Sequence, residues 1–149
     1  MAIGADLGRA IEILLVEDNP ADVRLTTEAL SEGNIDNNLV VARDGENALE
    51  ILHKAGRHRN ATRPDLIVLD LNLPKMDGRE CLAKIKEDPE LKRIPIVVLT
   101  TSHAEADILR CYELHANCYI TKTVDFENFI ILVRAIENFW LKTVELPTA

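Results

Sequence analysis

Short apolar runs alternate along this chain with longer stretches in which apolar residues recur every three or four positions. The runs fall at about Ile11–Val16, Leu39–Ala42, Leu66–Asp70, Ile96–Thr100 and Cys118–Thr121. All are of strand length, and Leu66-Ile-Val-Leu69 reads as a strand buried on both faces. Helix starts are signalled between them. Asn19-Pro20 supplies a cap and a proline for the first helical position. Asp77-Gly-Arg-Glu80 and Ser102-His-Ala-Glu105 have capping-box spacing, and Asp44 and Asp125 can cap two further helices. Strand and helix alternate strictly, which predicts βαβ units and a parallel sheet covered on both faces. Right-handed crossovers limit the topologies, and five strands of this length fit a doubly wound α/β fold of order 2-1-3-4-5. That is a flavodoxin-like three-layer sandwich, which binds its ligands at the carboxyl ends of the strands.

Composition changes this picture little. With 149 residues, 47% of them hydrophobic and 28% charged, the chain suits one domain with a sizeable core. A net charge of −8 argues against a nucleic-acid partner. Cys81, Cys111 and Cys118 are odd in number and lack C-x-x-C spacing, so they read as reduced thiols of a cytoplasmic protein. No apolar run approaches the ~18 residues of a membrane span, and no signal peptide is evident. The sequon Asn60-Ala-Thr62 carries no meaning in that setting, and the basic stretch His53–Arg63 reads as a solvated loop.

The strand ends carry the chemistry. The first strand runs into Glu17-Asp18 and the third into Asp70. In a 2-1-3 sheet these strands are neighbours, so three carboxylates converge at the switch point. Such a group either raises its pKa values or recruits a cation. Mg²⁺ suits it, because that ion takes one or two carboxylates and keeps room for a phosphate oxygen. Thr100 ends the fourth strand with a hydroxyl, and Lys122 follows the fifth with an ammonium. Alone, each has a plain reading: an acid pair at a helix start, a turn-capping threonine, a snorkelling lysine. Together they are the parts for phosphoryl transfer to a carboxylate.

The set Glu17-Asp18, Asp70 in D-L-N-L-P-K-M-D-G, Thr100 and Lys122 resembles the receiver domain of two-component response regulators over roughly residues 11–140. The resemblance implies that Asp70 accepts a phosphoryl group from a sensor histidine kinase. It implies that Glu17, Asp18, Asp70 and the carbonyl of Asn72 hold Mg²⁺, and that Thr100 and Lys122 contact the phosphoryl group. Tyr119 would change rotamer with it, and Asn72 and Ser102 would tune dephosphorylation. One departure stands out. The family usually has a cis Lys-Pro bond where this chain has Lys122-Thr123. A cis bond before a non-proline costs about 2.5–4 kcal/mol, so either a trans bond with a shifted Lys122 loop or a strained cis bond is expected.

Nothing long enough for an output domain follows the fifth helix, so 1–149 reads as a single receiver domain, with its core over about 11–143. Such a protein signals by contact, to a downstream protein that the sequence does not name. On a helical wheel Phe126, Phe129, Ile130, Leu132, Val133, Ile136, Phe139, Trp140 and Leu141 cover an arc of roughly 200°, wider than one sheet face requires. That excess predicts a homodimer, with Phe126, Phe129, Leu132, Ile136, Phe139 and Trp140 as interface candidates; a tail folded back over Phe139 and Trp140 is the alternative. Asn117-Cys-Tyr-Ile-Thr-Lys122 and Phe139–Pro147 are similar to the small regulators paired with cyanobacterial phytochrome kinases.

Three rivals are weighed against this reading. A haloacid-dehalogenase-type phosphatase needs a second acid where Asn72 stands. An FMN-binding flavodoxin needs a phosphate loop where Glu17-Asp18 would repel the ligand. An adaptor that is never phosphorylated would have no use for the intact acid set.

Overall fold

The computed structural model describes residues 9–33 and 35–147. Its elements are β1 (Ile11–Val16), α1 (Pro20–Ser31), β2 (Asn37–Ala42), α2 (Gly45–Leu52), a 3₁₀ turn (Gly56–His58), β3 (Leu66–Leu69) and α3 (Gly78–Glu87). They continue with β4 (Ile96–Thr100), α4 (Glu105–Glu113), β5 (Cys118–Thr121), α5 (Phe126–Ile136) and a terminal π-helical segment (Glu137–Thr143). The sheet is wholly parallel, in the order β2-β1-β3-β4-β5. The doubly wound architecture expected from the alternation is therefore the observed one.

Two cores lie on opposite faces of the sheet. Leu14, Val16, Ile67, Leu69 and Val98 point into one, against Ala48 and Ile51 of α2, Leu82 and Ile85 of α3, and Cys111 of α4. Ile13, Leu15, Leu66, Val68, Val97 and Leu99 point into the other, against Ala29 and Leu30 of α1 and Phe129, Val133 and Ile136 of α5. Every residue of β3 and β4 is buried, as continuous apolar runs require of central strands. All four residues of the edge strand β5 are only half-buried.

Several local expectations needed correction. β2 begins at Asn37, not Leu39, because backbone pairing sets its length: Asn37 and Asn38 sit in register with Ile11 and Glu12. Their side chains are satisfied by Leu30 and Ile35 carbonyls and by the Glu12 carboxylate. Asn19 and Asp44 cap α1 and α2 as expected, and Asp77 caps α3 through the Arg79 N–H. Ser102 does not cap α4, which starts after Ala104: its hydroxyl donates to Asp107 and accepts from the Ala104 N–H, ahead of the first helical turn. Asp125 stands at the α5 N-cap position without a capping side-chain bond.

The apolar arc of α5 divides once it is folded. Phe129 and Ile136 are buried against the sheet and cannot present to a second molecule, since α5 turns that stripe inward. Phe126 and Phe139 are exposed, together with Ile131 and Val124; Leu132 and Trp140 are half-buried. Beyond α5, Leu141 and Leu146 return to the core on the α1 side, but Phe139 stays exposed, so the tail does not cover it. The three cysteines are free, and burial pushes the Cys81 thiol up to about 12. The basic stretch 53–63 is largely exposed. No described helix is long and apolar enough to cross a membrane.

Candidate functional site

Register brings the chemical residues together. Val16 lies beside Leu69, and Thr100 beside Thr121, so the residues that follow leave the sheet at one rim. Backbone bonds extend the ladders past the strands: Asp70 N–H to Val16, Glu17 N–H to Ala42, and Lys122 N–H to Thr100. The loop after Asp70 then folds back on itself. Gly78 N–H donates to the Leu71 carbonyl, and a Cβ on Gly78 would lie 2.3 Å from the Asp70 carbonyl oxygen. Only glycine admits that approach. Lys75 turns the same loop in the left-handed region, with φ of 64°.

At the rim, the Lys122 ammonium donates to Glu17 Oε1 at 2.5 Å, Asp22 Oδ2 at 2.8 Å and Asp70 Oδ2 at 3.0 Å. The Lys122 side chain is 4% exposed. Burial by itself would pull its pKa down, but hydrogen bonds to Asp22 and Glu17 and the charges of Glu17 and Asp70 outweigh this and hold it up. Burial raises the Glu17 pKa, and the Lys122 bond opposes that rise. The second Glu17 oxygen accepts from the Asn19 N–H, and Asp70 Oδ1 accepts from the Asn72 N–H at 3.3 Å. Asp18 is exposed, and its carboxylate accepts no hydrogen bond among the described residues. The Lys122-Thr123 peptide is trans, and the ammonium still reaches the centre of the acid group. Proline is thus not needed to aim it.

A second polar network lies behind Thr100. The Thr100 hydroxyl is buried and accepts from the Ser102 N–H at 3.4 Å. Ser102 Oγ donates to Asp107, Asp107 also receives the Arg79 guanidinium, and Tyr119 Oη donates to the Ser102 carbonyl at 2.8 Å. Tyr119 is half-buried, and burial raises its pKa against the opposing Ser102 bond.

An oxygen-only donor set of this kind suits a hard divalent cation. Asp18 and Asp70 Oδ1 are the least engaged acceptors. No group of three His, Cys, Asp or Glu side chains is preassembled for a metal among the described residues. The ammonium of Lys122 holds Glu17 and Asp70, so a cation and this ammonium compete for the same oxygens.

Known proteins share this fold. The response regulator receiver domain family matches residues 13–134. The chain belongs to this family. The receiver is 56% identical over 137 residues to response regulator Rcp1 of Synechocystis sp., spanning 92% of this chain and 93% of that one. The Mn²⁺-bound crystal structure of Rcp1 matches with a TM-score of 0.90 at 54% identity, over 93% of this chain and 99% of the other. The phosphorylated cyanobacterial phytochrome response regulator RcpA matches with a TM-score of 0.92, also at 54% identity, over 94% and 100%.

Of the residues singled out in sequence, this receiver brings Glu17, Asp70 and Lys122 into direct contact and sets Thr100, Ser102 and Tyr119 in the adjoining network. Asn72 is exposed beside Asp70, touching it through its backbone. Sequence reasoning missed Asp22, Arg79 and Asp107. The signal for Asp22 was its position in the first turn of α1, whose start at Pro20 directs that turn to the rim.

Proposed function

We propose that this receiver carries a phosphoryl group on Asp70, accepted from a phosphohistidine of a sensor histidine kinase. The observation that carries the reading is the buried Asp70 carboxylate 3.0 Å from the Lys122 ammonium, one strand from the buried Thr100 hydroxyl. An Asp70 oxygen attacks phosphorus, the P–N bond breaks, and its electron pair stays on the imidazole. Lys122 and Thr100 then face the charge spread over the phosphoryl oxygens. Asp18, Asp70, Glu17 and the Asn72 carbonyl would hold Mg²⁺, which supplies charge neutralisation on those oxygens when bound. Asn72, in place of an acid that could activate water, favours a lasting acyl phosphate over rapid turnover, and Ser102 flanks the same rim.

Drawing Thr100 inward would break its bond to Ser102 and disturb the Tyr119 contact. That alters the face formed by α4, β5 and α5 through contacts that differ between the two states. The exposed Val124, Phe126, Ile131 and Phe139, beside a half-buried β5, support a homodimer through this face. The likeness to RcpA supports a phytochrome-type kinase upstream. Incubation with acetyl phosphate and Mg²⁺ tests the central claim. Wild type should gain a hydroxylamine-labile phosphate that Asp70→Asn lacks, and no such modification would overturn it. Light scattering that shows a monomer at high concentration, phosphorylated or not, would sink the dimer.

A further inference from the structure

Three carboxylates hold Lys122, and only two of them belong to the cation set proposed above. Glu17 and Asp70 would turn to the metal, whereas Asp22 lies in the first turn of α1, outside that set, with its Oδ2 2.8 Å from the ammonium. Free space borders Asp22 as well. A cavity of about 350 Å³ is lined by Asp22, Lys122, Leu25, Thr123 and Phe129, and neither Glu17 nor Asp70 lines it. An ammonium at 4% exposure cannot give up its anions without remaining buried and unpaired. It can give up two of them if the third stays and there is room to move toward it.

We propose that Asp22 is a positioning residue of the phosphoryl-transfer centre. It retains Lys122 in the pocket while a divalent cation takes Glu17 and Asp70, and so sets the affinity for that cation. Without Asp22 the ammonium has only the metal's own ligands to pair with, and it competes for them fully. The inference rests on the cation site described under Proposed function.

The test is Mn²⁺ binding to the full chain, read from the electron paramagnetic resonance of the free ion, for wild type, Asp22→Asn and Asp22→Glu. Circular dichroism without metal checks that each variant is folded. Asp22→Asn should weaken Mn²⁺ binding about tenfold, the scale of a direct coupling between neighbours. Asp22→Glu, which restores the anion, should recover most of it. The deficit should persist at high salt, where the effect of merely removing a nearby surface charge is screened away. Asp22→Asn binding as tightly as wild type, or a deficit that vanishes in salt, overturns the role of Asp22 and leaves the phosphoacceptor reading standing. A wild-type chain that does not bind Mn²⁺ overturns the cation site and this inference together.

Discussion

Replacing Lys122 by methionine keeps the buried stem and deletes the charge, leaving Glu17, Asp22 and Asp70 to face one another. The ammonium lies 2.5–3.0 Å from all three carboxylates. Removing one partner of a buried ion pair costs about 3–5 kcal/mol, and here the loss strands three anions. Unfolding should therefore come about 10 °C lower at neutral pH, at roughly 2–4 °C per kcal/mol for a chain of this size. The pH dependence has a definite sign. Burial already raises the Glu17 pKa with the ammonium in place; without it, the folded-state value rises further above the unfolded one. A group raised in this way is tolerated below its unfolded pKa and becomes a burden as pH climbs through the folded value. Lys122→Met should accordingly be least destabilised in mild acid and most destabilised at and above neutrality. Urea denaturation of both proteins across that range, with and without Mg²⁺, is the assay. Mg²⁺ should return part of the lost stability to the variant, because it binds only the folded state. A loss below about 1 kcal/mol, the scale of an exposed pair, or a loss independent of pH, would refute the view of Lys122 as the resident counter-ion.

Three further outcomes follow from the geometry. Gly78→Ala drives a methyl group against the Asp70 carbonyl and the Leu71 Cα; overpacking of that kind costs about 1–3 kcal/mol, visible as a lower urea midpoint at unchanged slope. Asp107 has its pKa lowered by the Ser102 hydroxyl and then by Arg79, so its contribution is present at neutral pH and fades as pH falls through the folded value. Carboxyl-carbon NMR should find its midpoint below that of exposed aspartates, and Arg79→Ala should shift it upward. Glu137 is 4% exposed, with Oε2 unpaired among the described residues. Glu137→Met removes the unpaired buried oxygen at similar side-chain length and should raise stability by about 1 kcal/mol, measured as an increase in Tm.

The strands were legible because four of the five are apolar enough to announce themselves, and the rim chemistry followed from where they end. Asn37 and Asn38 were not legible as strand: on an edge, backbone pairing decides the boundary and polar side chains are tolerated. Ser102 misled because α4 starts two residues later than the capping-box spacing places it, so the N–H that its hydroxyl accepts from is that of Ala104, ahead of the helix. Asp22 was hidden among 25 acids, in a first-turn position where an acid is ordinary. The wide arc on α5 divides between core and surface: Phe129, Val133 and Ile136 form the stripe that faces the sheet, while Phe126, Ile131 and Phe139 stay exposed. A wheel drawn at 3.6 residues per turn drifts once the backbone adopts wider π turns at Glu137, and Leu141 then faces the core.

The inward course of Leu141 and Leu146 separates two boundaries that are easily treated as one. The receiver family model matches only residues 13–134, yet Ile136, Leu141 and Leu146 are buried with the sheet. At the other end, Arg9 precedes the matched segment and holds the buried Asp65 with a two-pronged guanidinium grip. A fragment trimmed to the matched residues would forfeit about 1.5–3 kcal/mol for each large apolar side chain it loses, a serious fraction of a typical domain's stability. The unit that folds is thus longer at both ends than the segment common to the whole family, and any fusion partner or affinity tag belongs beyond Leu146.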